Sequence, residues 1–310
     1  MKGTVVRSTG SWYEVRTEAG TLVSCNLKGV FRIQGLKATN PVAVGDHVEF
    51  MPGDAGQGAV ITAIFPRKNY IIRRSTKLSK TVHILAANID QLVLVVTLAF
   101  PRTSSGFIDR FLVTAEAYKI PAVIFFNKTD LYDDPLRELQ EEFRAVYESI
   151  PYPCHEVSAV SGENLDVFRD CLSDKVSLVA GHSGVGKSAL INAVEPSLRL
   201  KTGEVSGFSR KGTHTTTFAE MHPLSSGGYI IDSPGIKEFG LVDFYPDELT
   251  HYFPEMFALL KDCRFHNCTH TNEPGCAVMQ AVEEGSISAM RYENYLNIFS
   301  GRDLEETDYD

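Results

Sequence analysis

Gly181-His182-Ser183-Gly184-Val185-Gly186-Lys187-Ser188 fits the pattern G-x-x-x-x-G-K-[ST] at every position. The predicted strand Val176–Ala180 precedes it, and Ala189-Leu190-Ile191-Asn192 follows with helical composition. Strand, glycine-rich turn and helix are the context in which this pattern cradles phosphate. The glycines let successive backbone N–H groups converge on one anion, and the helix N-terminus adds its dipole. In such a loop Lys187 would reach the β- and γ-phosphates of a nucleotide, and the Ser188 hydroxyl would bind Mg²⁺. At average residue usage a chance match in a chain of this length is on the order of one in a hundred.

Outward from this loop the texture is α/β. Leu92–Thr97 and Ala122–Phe126 are continuous apolar runs of the kind found in parallel strands covered on both faces. Helical spacing over Phe107–Tyr118, Pro135–Ser149 and Asn164–Leu172 alternates with strands at Glu156–Ala159, Val176–Ala180 and Tyr229–Asp232. Strands alternating with helices predict a parallel sheet.

Asn127-Lys128-Thr129-Asp130 directly follows the second apolar run and resembles the N-K-x-D motif of GTPases. A carboxylate at Asp130 can accept from both N1–H and the exocyclic amine of guanine. Adenine lacks that donor pair, so it would leave Asp130 unpaired, and polar sites of this kind discriminate strongly. Lys128 would lie over the base, Asn127 would tie this loop to the phosphate loop, and Thr129 sits between them. Ser158-Ala159 resembles the short backbone loop that meets guanine O6.

Asp232-Ser233-Pro234-Gly235 resembles the D-x-x-G switch, with Asp232 holding Mg²⁺ through water and the Gly235 N–H sensing the γ-phosphate. Ile236 follows, where Ras-type GTPases carry the glutamine that orients water. An aliphatic side chain cannot do that. Between the phosphate loop and Asp232 lies Gly212-Thr213-His214-Thr215-Thr216-Thr217, the place of a first switch. Thr216 is the threonine expected on Mg²⁺. His214 is the candidate catalytic group, since imidazole suits acid–base work near neutrality. In ordinary GTPases the phosphate loop precedes N-K-x-D. Here the order is reversed, which reads as a circular permutation, tolerable where chain ends lie close together.

Before and after this domain the composition shifts. Residues 1–66 read as five short strands separated by Gly- and Ser-rich turns, a small barrel of the OB type with an SH3-like barrel as the alternative. Residues 1–80 carry 12 Lys/Arg against 5 Asp/Glu, whereas the rest carries 18 against 34. A basic front on a chain of net charge −9 points to a polyanion-binding module. Arg67, Lys68, Arg73, Arg74, Lys77 and Lys80 read as a basic connector.

Beyond Val242 the chain reads as helical and acidic. Cys263-x4-Cys268-x-His270-x5-Cys276 offers three thiolates and an imidazole, a full tetrahedral set for structural Zn²⁺. The expected division is therefore a barrel at 1–68, a permuted GTPase domain at 69–242 and a zinc-binding helical module at 243–310. The module ends in an acidic tail, Asp303–Asp310. No apolar run approaches the roughly 18–20 residues of a membrane span. The start, Met1-Lys2-Gly3-Thr4-Val5, lacks a signal-peptide core, so export is not expected.

Barrel, permuted GTPase and Cys-Cys-His-Cys module together resemble the RsgA family, the ribosome small subunit-dependent GTPases of bacteria. G-H-S-G-V-G-K-S, N-K-T-D, T-H-T-T-T, D-S-P-G and the cysteine spacing all look like that family's, and so does Ile236. The resemblance implies an OB-fold that binds ribosomal RNA and GTP hydrolysis to GDP stimulated by the small subunit. It also implies a role in late small-subunit maturation and a cytoplasmic monomer. Two competing readings are a P-loop ATPase or kinase with an accessory RNA-binding barrel, and a non-catalytic RNA-binding zinc protein. Asp130 disfavours the first; intact Lys187, Ser188 and Asp232 disfavour the second.

Overall fold

The computed structural model describes residues 1–10, 12–27, 40–53, 58–74, 82–200, 219–232 and 246–302. Five strands begin the chain: β1 (Lys2–Ser8), β2 (Trp12–Thr17), β3 (Leu22–Leu27), β4 (His47–Met51) and β5 (Ala59–Ile64). They pair in the order β1-β2-β3-β5-β4, and β4 pairs back onto β1. The β3–β5 pair is parallel and the others are antiparallel. That closed order is the OB-fold's, so the SH3-like alternative falls. Period-2 alternation fills the barrel: in β4, Val48 and Phe50 point inward while His47, Glu49 and Met51 face out. They join Val5, Tyr13, Val15 and Ile61 in one core.

The expected basic connector proves to be partly a hairpin. β6 (Tyr70–Arg74) pairs antiparallel with β7 (Val82–Ala87). Ile71, interleaved among the basic residues, is buried with Val6, Val44 and Ala86. Nor is Arg67 a free surface charge. Its guanidinium forks the fully buried Asp46 carboxylate, with both N–O distances at 2.6 Å. Lys68 pairs with Asp90 at 3.0 Å. Lys77 and Lys80 lie outside the described residues.

The central domain runs β8 (Gln91–Val96), α1 (Ser105–Tyr118), β9 (Ala122–Asn127), α2 (Asp134–Glu148), β10 (Cys154–Val157), α3 (Leu165–Leu172), β11 (Val176–Ala180), α4 (Lys187–Val194), β12 (Glu220–Pro223) and β13 (Tyr229–Asp232). Its sheet order is β10-β9-β8-β11-β13-β12. Every pair is parallel except β12–β13. All six residues of β8 are buried, because both its faces are covered. Leu92, Leu94 and Val96 pack with α1, whereas Val93 and Val95 pack with α3 and α4. β10 sits two residues earlier than the sequence pattern suggests, because Ser158 turns away to meet Asp130.

Strand β12 pairs antiparallel with β1 at Arg7 and Glu220, fusing barrel and central sheet into eleven strands. Beyond lie α5 (Pro254–Phe257), α6 (Ala277–Glu283) and α7 (Ala289–Phe299). Their core of Leu249, Phe253, Met256, Val278, Tyr295 and Ile298 includes Val113 of α1, so the module is seated on the central domain. Among the described residues no helix is long and apolar enough to cross a membrane. The acidic tail 303–310 lies outside them.

Candidate nucleotide site and metal centre

Parallel strands deliver their following loops to one edge of the sheet, which is where α/β folds bind ligands. Gly181 leaves β11 with φ +140°, and any Cβ there would collide with the Val95 carbonyl of β8. Gly186, at φ +95°, leaves no room for a Cβ beside the Asn127 amide. These two positions let the phosphate loop lie flat against its neighbours. Helix α4 then begins at Lys187 with Ser188 and Ala189 in its first turn. Lys187 arches back over the loop, its ammonium donating to the Gly181 and His182 carbonyls at 2.7 Å each. His182 stacks its ring against Phe107, while Ser183 and Gly184 stand exposed at the loop's tip.

The Asn127-Lys128-Thr129-Asp130 loop meets this one directly. Asn127 is buried, and its Nδ2 donates to the Val185 carbonyl at 2.7 Å. Its Oδ1 is buried with no hydrogen-bond partner among the described residues. Lys128 adopts the left-handed conformation and donates its ammonium to the Phe100 carbonyl. Burial lowers its pKa and Asp130 works the other way. Asp130 accepts from Ser158 Oγ at 2.5 Å, and that oxygen in turn accepts from the Val160 and Ser161 N–H groups. Ala159 is half-buried beside it.

Two supports escape sequence reasoning. Thr129 is buried and donates to Glu163 at 2.7 Å, pinning the base-reading loop to the loop after β10. Tyr132 Oη donates to the Asn127 carbonyl at 3.0 Å and accepts from Leu98 N–H at 2.9 Å. Neither has a sequence signal, because a lone Glu or Tyr gains its partner only through the fold. Asp232 ends β13, next to β11 in the sheet, so its backbone stands beside the phosphate loop's root. His214, Thr216, Gly235 and Ile236 lie outside the described residues.

In the C-terminal module, Cys263, Cys268, His270 and Cys276 bring one ligand atom each to within 4.8 Å of the others. A tetrahedral zinc with bonds of about 2.3 Å to sulfur and 2.0–2.1 Å to nitrogen sets S···N edges near 3.6 Å. His270 Nδ1 lies 3.2 Å from Cys276 Sγ and 3.7 Å from Cys263 Sγ. The donor set and its spacing therefore fit zinc, with Nδ1 as the ligating nitrogen and no ligand position left open. Burial and the neighbouring thiols push the Cys268 pKa up to about 12. A dication held there would reverse that preference and favour the thiolate.

The loop is held from outside as well. Tyr292 donates to the His270 carbonyl at 2.6 Å and Tyr295 to the Thr269 carbonyl at 2.8 Å. Glu273 accepts from the Thr269, Thr271 and Asn272 N–H groups. Burial opposes its charge, but the Thr269 hydroxyl, which donates at 2.6 Å, and the Thr269 and Asn272 N–H groups outweigh that and hold its pKa down to about 2.

A family model described as RsgA GTPase matches residues 64–242, and one described as RsgA N-terminal domain matches residues 2–60. The chain belongs to the RsgA GTPase family. Membership makes it a GTP hydrolase. A relative named small ribosomal subunit biogenesis GTPase RsgA, from Bacteroides fragilis, is 53% identical over 309 residues, covering 100% of this chain and 99% of the relative. The protein of the same name from Christiangramia forsetii is 52% identical, covering 100% of this chain and 98% of its own. Among solved structures, YjeQ from Thermotoga maritima superposes with a TM-score of 0.80 at 38% identity, covering 97% of both chains. YloQ, described as a circularly permuted GTPase, gives a TM-score of 0.74 at 28% identity, covering 97% of this chain and 94% of its own. The Asn127–Val185 hydrogen bond explains why permutation costs nothing at the site: the two motifs meet in space whatever their order along the chain.

Proposed function

We propose that this chain hydrolyses GTP to GDP and phosphate in the service of small ribosomal subunit biogenesis, the role carried in its relatives' names. The observation that carries the nucleotide assignment is the hydrogen bond from Asn127 to Val185, which sets base-reading and phosphate-binding loops at one fixed separation. Asp130 reads guanine, Lys128 covers the base, Thr129 anchors the loop, and Ser158-Ala159 faces O6. Backbone N–H groups of 181–189 hold the phosphates. Lys187 exchanges its two carbonyl partners for phosphate oxygens, a stronger pairing because the acceptor is charged. Ser188 and Thr216 ligate Mg²⁺, with Asp232 behind a water and the Gly235 N–H on the γ-phosphate. Zinc, on Cys263, Cys268, His270 and Cys276, is structural.

The three units 1–68, 69–242 and 243–310 act as one cytoplasmic monomer. The barrel binds ribosomal RNA of the small subunit, mainly through phosphates. Trp12, half-exposed on β2, gives that face a surface for stacking an unpaired base. Because Arg67 is sequestered by Asp46, the RNA contact falls on the remaining basic residues. Deleting the barrel would strip β12 of β1, one of its two partner strands, so the test uses the intact chain. Co-sedimentation with small subunits is expected to be stronger with a non-hydrolysable GTP analogue than with GDP. Affinity is expected to fall steeply with salt, as counterion release demands. Salt-independent binding refutes the phosphate-contact reading.

Hydrolysis needs a group that Ile236 cannot supply, so the free protein turns over slowly. Docking on the subunit brings His214 against the attacking water. Such positioning with general-base help is worth roughly 10²–10⁴-fold. His214→Ala is expected to lose most of the subunit-stimulated rate while keeping GTP affinity and subunit binding. Wild-type stimulated turnover in that variant makes His214 a bystander.

A further inference from the structure

One short segment meets the base-reading loop, the phosphate loop and the zinc module in turn. After β8 the chain bulges, closed by a hydrogen bond from Thr103 N–H to the Thr97 carbonyl at 2.8 Å. Within the bulge the Phe100 carbonyl accepts the Lys128 ammonium. Pro101 faces Gly184, so closely that an added Cβ there would lie 3.2 Å from Pro101 Cδ. Ser104 then caps α1 by accepting from Phe107 N–H, and Phe107 sets its ring centroid 3.7 Å from that of His182.

Two residues further along α1, Asp109 is wholly buried. Its carboxylate accepts from Tyr147 Oη at 2.8 Å, Arg291 Nη1 at 2.6 Å and Asn294 Nδ2 at 2.7 Å. Arg291, 1% exposed, also holds Glu255 through Nε at 2.8 Å and lies over the Phe253 ring at 4.5 Å. Burial opposes its charge, yet Asp109 and Glu255 outweigh that and keep it protonated. A buried carboxylate that loses its cation either neutralises or moves toward water, so the pose of α1 depends on Arg291. The interior is packed too closely to absorb such a shift locally.

We infer that Arg291, a residue of the zinc module, is a positioning residue for the phosphate loop. It fixes α1 through Asp109; Phe107 of α1 then fixes His182, and Pro101, in the segment that leads into α1, fixes Gly184. The inference rests on reading 181–188 as the phosphate site. Nucleotide affinity is then set partly by a module that touches no nucleotide, and in return bound nucleotide stabilises the module's seat.

The test uses the full-length, zinc-loaded chain, with a fluorescent GTP analogue, steady-state kinetics and amide exchange across 181–188. Arg291→Gln is expected to weaken GTP affinity and raise KM by roughly 3- to 30-fold, the usual span of such coupling. Exchange at 181–188 quickens, while kcat at saturating GTP stays near wild type. Arg291→Lys, which keeps the charge, recovers most of the affinity. Phe107→Leu breaks the ring contact, leaves the buried ion pair intact and is expected to show the same split. Wild-type affinity and exchange in a folded Arg291→Gln chain overturn the inference, and so does a lowered melting temperature as its sole change. Should Arg291→Gln not fold, wild-type affinity in Phe107→Leu overturns it equally. Failure of the underlying reading looks different: the wild-type chain would then bind the analogue no better than a non-nucleotide control, or Lys187→Ala would bind it as tightly as wild type.

Discussion

Asp130→Asn is expected to abandon guanine nucleotides and take up xanthine nucleotides. Two hydrogen bonds from the base to a charged acceptor are worth about 1.5–3 kcal/mol each. Losing them weakens GTP binding by roughly 10²–10⁴-fold. Xanthine carries a carbonyl where guanine carries its amine, so an asparagine amide can donate where the carboxylate accepted. The surroundings favour a clean exchange. Ser158 Oγ lies 2.5 Å from Asp130 and can donate equally well to the asparagine carbonyl, so the loop keeps its anchor. Thr129 stays pinned to Glu163 in either case. Competition among GTP, XTP and ATP measures the outcome. An unchanged guanine preference removes Asp130 from base reading, and a wild-type preference for ATP favours the ATPase or kinase alternative.

Loss of zinc is expected to be the largest structural effect. Elemental analysis should find about one zinc per chain, and Cys268→Ala should abolish it. Apparent zinc-binding energies of about 10–16 kcal/mol rival the whole stability of a domain. Cys268 and Cys276 belong to the module's own core, so the metal loop cannot loosen alone. Release of α7 would also take Arg291 and Asn294 from Asp109, leaving its carboxylate without a cation, a change worth about 3–5 kcal/mol where measured elsewhere. Amide exchange over 246–302 is therefore expected to quicken throughout rather than at the loop. Zinc-free protein from a chelator-free preparation, or full protection in Cys268→Ala, contradicts the assignment.

The sequence by itself determined whatever is encoded in contiguous residues. Leu92–Val96 and Ala122–Phe126 are apolar on both faces, and a strand so composed has to be covered on both sides. The phosphate loop, the N-K-T-D loop and the cysteine spacing are equally local, since a few adjacent backbone units and side chains perform the chemistry. The five barrel strands were legible from alternation such as that of β4.

Tertiary structure alone decided the rest. Alternation within strands cannot say which strand lies beside which, so OB against SH3-like topology waited on the β3–β5 and β4–β1 pairings. β12 has four residues and one buried side chain, Met221, too little for any period to show. Arg67 reads as solvated charge until Asp46, 21 residues away, is found beneath it. Arg291 reads as one basic residue in an acidic region until it meets Asp109, 182 residues earlier. A charge becomes structural through its partner and its loss of solvent, and both are properties of the folded neighbourhood rather than of the residue.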